Sequence, residues 1–208
     1  MCKKILFVLI IFFSSSVLAS CFFFEDCKVP RYFQINGLDS YIMRLTNEDN
    51  EDNNPWEVLP ANESIDWDEF FIRFYFDVSY LSKSNVTQGG PFLLADCYEP
   101  GDFGAKTGID TLYFITLSDY NQNFSEGDTL NQILLLHDWV YSPNDFNNFQ
   151  SPAEFIRRND KVILEENFEV ILSEPPAANG NYIFQMLYIL DDGTAFIETT
   201  VPVMINIE

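Results

Sequence analysis

His137, the only histidine in the chain, is followed directly by Asp138, and acid–base or nucleophilic chemistry of the serine–histidine or cysteine–histidine kind would have to begin there. Successive side chains of an extended chain point to opposite faces, so these neighbours do not form a dyad. A histidine at a strand end, bonded to backbone, is the simpler reading. The chain has no glycine-rich phosphate loop, P-loop or dinucleotide fingerprint. Two carboxylates could cleave a glycosidic bond, but among 32 acidic residues the sequence singles out no pair. The chain therefore reads as non-catalytic, with no cofactor expected.

The run Asn47-Glu48-Asp49-Asn50-Glu51-Asp52-Asn53-Asn54 offers a dense set of oxygen ligands. A calcium loop alternates its ligands around a glycine at the sixth position and closes on a distal glutamate. Counting from Asp49, Asn54 stands where that glycine belongs, so a solvated acidic tip is expected, with calcium as the alternative. Two spare cysteines and one histidine make a thin soft-metal set. Trp56, Trp67 and Trp139 would stack on sugar rings if exposed, and pack into the fold otherwise.

Ahead of these residues stand Lys3, Lys4, the apolar run Ile5 to Phe13, and Ser14-Ser15-Ser16, which together have the charged, apolar and small-residue parts of an export signal. The apolar run is far shorter than the roughly 20 residues that span a bilayer. The following Leu18-Ala19-Ser20-Cys21 resembles a bacterial lipobox, with a plain secretory signal cut near Ala19 as the alternative. The resemblance implies removal of residues 1–20, acylation of Cys21 through its thiol and its new amino group, and attachment to a membrane by several chains. Residues 21–30 would then be a lipidated tether and residues 31–208 one folded domain. In Phe22-Phe23-Phe24-Glu25-Asp26, acids close behind the cysteine resemble a surface-transfer signal of Bacteroidota lipoproteins; a membrane-resting tether is the alternative.

Of four cysteines, Cys2 leaves with the signal and Cys21 is lipidated, so Cys27 and Cys97 remain. In an oxidising compartment they suggest one disulfide, with two separate buried thiols as the alternative. Loss of Lys3 and Lys4 and of no acid moves the net charge from −21 to −23, which argues against nucleic acid and anionic lipid headgroups as partners. Yet 21 phenylalanines and 10 tyrosines supply the apolar area of a substantial core.

Periodicity predicts strands. They begin at Arg31 to Leu38, where Tyr32-Phe33-Gln34-Ile35 alternates before Asn36-Gly37, and continue through Tyr41 to Leu45. From Phe70 to Leu81 the even positions Phe70, Ile72, Phe74, Phe76, Val78 and Tyr80 are all apolar, which gives one buried and one largely wet face. Asp110 to Leu117 carries apolar residues on both parities and calls for burial on both faces. Ile133 to Leu136 fits helix or strand, with Asp128 to Gln132 able to cap a helical turn. Ser142-Pro143 and Ser151-Pro152 open short helical turns. Strands follow at Val162 to Leu164, Phe168 to Leu172, Tyr182 to Leu190 and Ala195 to Ile207, the last two joined by a tight primed turn at Asp192-Gly193. In the last strand Ile197, Val201, Val203, Ile205 and Ile207 share one parity, and Pro202 belongs at an edge or bulge.

Gly180-Asn181-Tyr182-Ile183-Phe184 resembles the corner of immunoglobulin-like sandwiches, where a tyrosine hydroxyl bonds back to backbone, with an ordinary turn and a packed tyrosine as the alternative. Fold class is thus all-β, an immunoglobulin-like β-sandwich with one or two short helical turns in a connection. The lipobox, Tyr32-Phe33-x-Ile35-x-Gly37-Leu38, the strand at Phe70, Cys97-x-x-Pro100-Gly101-x-x-Gly104 and the Asp192-Gly193 hairpin resemble uncharacterised Bacteroidota lipoproteins grouped as a domain of unknown function. That family carries no catalytic residue to this chain. Thr111 and Thr129, in Asp110-Thr111-Leu112 and Asp128-Thr129-Leu130, resemble Bacteroidota O-glycosylation acceptors, Thr129 being the better placed. The expected protein is an envelope lipoprotein, held to the outer membrane by its lipid, that acts as a non-catalytic interaction or structural module with another envelope protein. A glycan-binding lipoprotein of the nutrient-capture type is the alternative.

Overall fold

A computed structural model of the chain describes residues 32–45, 56–60, 63–81, 100–138 and 149–207. Its elements are β1 (Tyr32–Leu45), β2 (Trp56–Val58), β3 (Ser64–Asp66), β4 (Phe71–Leu81), β5 (Ile109–Thr116), β6 (Leu134–His137), α1 (Pro152–Asn159), β7 (Asn167–Leu172), β8 (Gly180–Tyr182), β9 (Phe184–Leu190), β10 (Ala195–Thr199) and β11 (Val203–Asn206). The architecture is all-β and sandwich-like. A five-stranded sheet β2-β1-β4-β7-β6 faces a three-stranded sheet β10-β9-β5, and a third sheet runs β3-β11-β8.

The even face of β4 makes the core. Ile72 and Phe74 are wholly buried and Phe76 nearly so. Phe74 meets the Phe114 ring edge-on at 6.4 Å, Phe76 meets Tyr188 at 5.2 Å, and Phe70 meets Phe184 at 5.8 Å. Offset and edge-on aromatic pairs add about 0.5–1.5 kcal/mol beyond the area they bury. The odd face is wet only at its far end: Asp77 and Ser79 are exposed, while Phe71 is buried against Trp56.

Three local slips alter the expected strands. The two expected strands are one, β1 (Tyr32–Leu45), whose register against β4 shifts between Ile35 and Gly37. The extra residue moves the buried set from Phe33 and Ile35 to Leu38 and Ile42. The last long hairpin is likewise interrupted, at Ile183 on one strand and Thr200 to Pro202 on the other. Pro202 thus lies in a break, as its missing N–H requires. Across that break the buried parity inverts: Ile197 and Val201 are exposed, whereas Val203 and Ile205 are buried, so those four residues do not share a face. The turn is a three-residue loop, not a two-residue primed turn. Gly193 takes φ 85°, its N–H donates to the Leu190 carbonyl at 3.0 Å, and Leu190 N–H donates to Thr194.

The apolar run at Ile133 to Leu136 resolves as strand from Leu134 on, within β6 (Leu134–His137), paired antiparallel with β7, and Asp128 to Gln132 caps no helix. Val162 to Leu164 forms only an isolated bridge from Ile163 to Ala105. There a Cβ on Gly104 would stand 2.3 Å from the Ile163 carbonyl oxygen, so no side chain fits. The helix begins as its capping box predicts: the Ser151 hydroxyl accepts from Glu154 N–H, with Pro152 in the first turn. The Ser142-Pro143 turn lies outside the described residues.

The Tyr182 hydroxyl donates to the Ala178 carbonyl at 2.6 Å, the backward bond expected of this corner. Tyr182→Phe keeps the ring beside Tyr120 and removes only that bond. The expected loss is about 1 kcal/mol, read as a lower urea midpoint with unchanged slope. An unchanged midpoint would show that the bond adds no net stability.

Candidate functional site

Three features rise from this scaffold. The first is a buried charge row on the outward side of the five-stranded sheet. Register sets Arg73 of β4 opposite Glu169 of β7, and Glu169 opposite His137 of β6. Arg73 Nε donates to Glu169 Oε1 at 2.9 Å, Nη2 reaches the same oxygen, and Nη1 lies 3.4 Å from the Tyr75 hydroxyl. The guanidinium also sits 5.9 Å from the Phe71 ring centre. Burial works against the Arg73 charge, yet the Tyr75 hydroxyl and the Glu169 carboxylate hold its pKa above the ordinary value. Glu169 Oε2 is left 3.6 Å from His137 Nδ1, and the imidazole lies 5.5 Å from the Phe149 ring.

The second feature faces the other way. Asp138 Oδ2 accepts from Asn159 Nδ2 at 3.2 Å and from Gln150 Nε2 at 3.4 Å, tying the end of β6 to both ends of the helical connection. Nearby, burial and then the Asp138 charge push the Tyr188 hydroxyl pKa up, and burial with Asp138 and Glu166 does the same to the Glu165 carboxyl. Hence His137 and Asp138 address different partners on opposite sides, as alternation demands. No dyad is formed, and His137 is placed beside a carboxylate.

The third feature is the outward face of β10-β9-β5. Its cross-strand rows are Ala195–Ile189–Thr111, Ile197–Leu187–Tyr113 and Thr199–Gln185–Ile115, and none of these side chains carries a charge. Ile197 is 65% exposed and Tyr113 41%. The sequence of β5 calls for cover on both faces. Leu112, Phe114 and Thr116 have it, whereas Tyr113 is exposed and Ile115 and Leu117 are half-buried. Asp110, Asp191 and Asp192 rim the hairpin end of this face.

Of the residues singled out by sequence, Cys21, Cys27, Cys97, Trp139 and the Asn47 to Asn54 loop lie outside the described residues. Thr129 is exposed, next to Ile115 at the edge of β5, while Thr111 is half-buried within β5. Trp56 and Trp67 are half-buried, Trp56 edge-on to Phe71 and Trp67 packed against the core. They do not form an open sugar platform. Among the described residues, no three His, Cys, Asp or Glu side chains are arranged to hold a metal, and no helix is long and apolar enough to cross a membrane.

Sequence reasoning missed the Arg73–Glu169 pairing, although Glu169 interrupting the apolar run Phe168 to Leu172 was a usable signal. Compared with protein-family models, curated proteins and solved structures, the chain matches none.

Proposed function

We propose that this chain is an envelope lipoprotein, anchored through acylated Cys21 at the outer membrane, whose sandwich domain works as a non-catalytic interaction module. The anchor is supported by the Lys3-Lys4, Ile5 to Phe13 and Leu18 to Cys21 pattern, and by its resemblance to Bacteroidota lipoproteins. The interaction role rests on one observation, the uncharged outward face of β10-β9-β5, on which Tyr113 and Ile197 are exposed on either side of half-buried Leu187. Antiparallel sheets that face water ordinarily place polar residues there, and an exposed apolar patch on an otherwise acidic surface marks a contact site. The Tyr182 corner supports an immunoglobulin-like relationship. The glycan-binding alternative loses support, because Trp56 and Trp67 are engaged in packing.

Cells grown with labelled fatty acid should yield labelled protein in the envelope fraction. Unlabelled protein in the soluble fraction would end this reading. A Cys27–Cys97 disulfide belongs to the same extracytoplasmic reading. So does glycosylation, where exposure favours Thr129 over half-buried Thr111. Intact mass should exceed that of the lipidated polypeptide, and the excess should vanish in Thr129→Ala while surviving in Thr111→Ala. A mass equal to polypeptide plus lipid would reject both sites.

A further inference from the structure

We infer that the outward face of β10-β9-β5 binds a second copy of this chain, which rests on reading that face as an interaction surface and names its partner. Three observations carry it. Tyr113 and Ile115 of β5 stand on a strand patterned for two buried faces, yet among the described residues only the inward face is fully buried, with Tyr113 exposed and Ile115 half-buried on the other. Leu187 of the central strand lies between Ile197 and Tyr113 in one cross-strand row, so the patch is continuous across all three strands. Its outward positions hold no charge in a chain of net charge −21.

That last point selects the occupant. Two copies meeting through most other faces would oppose carboxylate to carboxylate, a like-charge juxtaposition that suppresses association. This face lets them meet over side chains that are apolar or neutral, which is the composition of an interface core. A two-fold contact is isologous. With a two-fold axis in the interface plane running through Leu187, either along β9 or across it, Leu187 meets its own copy. In the first case Tyr113 meets Ile197 of the partner; in the second each meets itself. The acids Asp110, Asp191 and Asp192 at the rim repel, so self-association through this face should strengthen as salt rises. A contact built on opposite charges would weaken.

The test is sedimentation equilibrium of the full mature chain in a density-matched detergent, over a range of concentrations, at ionic strengths of about 0.02 M and about 0.3 M. The expected result is a monomer–dimer equilibrium shifted toward dimer at the higher salt. It should be lost in Leu187→Lys and in Ile197→Lys, and retained in Asn123→Lys, which puts the same charge at an exposed position off this face. Lysine at the interface centre desolvates an unpaired charge in each copy. Should Leu187→Lys not fold, Ile197→Lys decides, since its site is 65% exposed and tolerates a polar side chain. A monomer under every condition overturns the inference while leaving the fatty-acid test of the anchor untouched. So does a dimer that survives both face variants, or one that dissociates as salt rises.

Discussion

Glu169→Ala is expected to destabilise the domain by about 3–5 kcal/mol, because it strands a buried guanidinium without its carboxylate. The Arg73 side chain is 12% exposed and that of Glu169 5%, so little water reaches either charge to replace the lost partner. Such a loss is a large share of the roughly 5–15 kcal/mol that holds an ordinary domain together. It should appear as a lower urea midpoint. The double replacement Arg73→Met with Glu169→Leu removes both charges, fills similar volume and should recover most of the stability, since two buried charges cost solvation that apolar side chains never lose. A single-mutant loss under about 1 kcal/mol, the range of exposed pairs, would mean that water solvates Arg73 once Glu169 is gone. The row would then be a surface feature and not part of the frame that holds His137.

Cys21→Ser is expected to move the whole population from the envelope to the soluble fraction. Serine offers no thiol for the diacylglyceryl group. The signal peptide and the sandwich are otherwise unchanged. Each acyl methylene in the bilayer contributes about 0.8 kcal/mol, so one chain holds reversibly and several hold firmly. The wild type should therefore resist high-salt washing, because apolar anchoring is not screened by ions. Detergent should release it. A Cys21→Ser protein that still sediments with membranes, paired with a wild type that takes up no fatty acid, would show attachment by another route.

Much of the fold was legible because its signals are local. The period-two run of β4 places Ile72, Phe74 and Phe76 on one face whatever the rest of the chain does, since a pleated backbone turns each side chain opposite to the last. Ser151, Pro152 and Glu154 mark the start of α1 because the cap satisfies backbone donors within four residues. Gly193 marks the last hairpin, although the loop took three residues where two were expected. Tyr182 reaches back only as far as Ala178.

The features that define the candidate surfaces are not local. One extra residue at Asn36 and the break at Thr200 to Pro202 each reverse which side of a strand is buried, since a shift of one position exchanges the two faces. Arg73 and Glu169 are 96 residues apart and meet only because β4 and β7 are neighbours in register. Local patterning alone makes the chain all-β, gives its strands apolar faces, starts its helix at Ser151 and turns His137 and Asp138 apart. Which apolar face stays in contact with water is set by how the sheets stack. Periodicity records that Tyr113, Ile115 and Leu187 are apolar, but their burial depends on whether another layer stacks on that sheet, and in this fold the five-stranded sheet covers the opposite side.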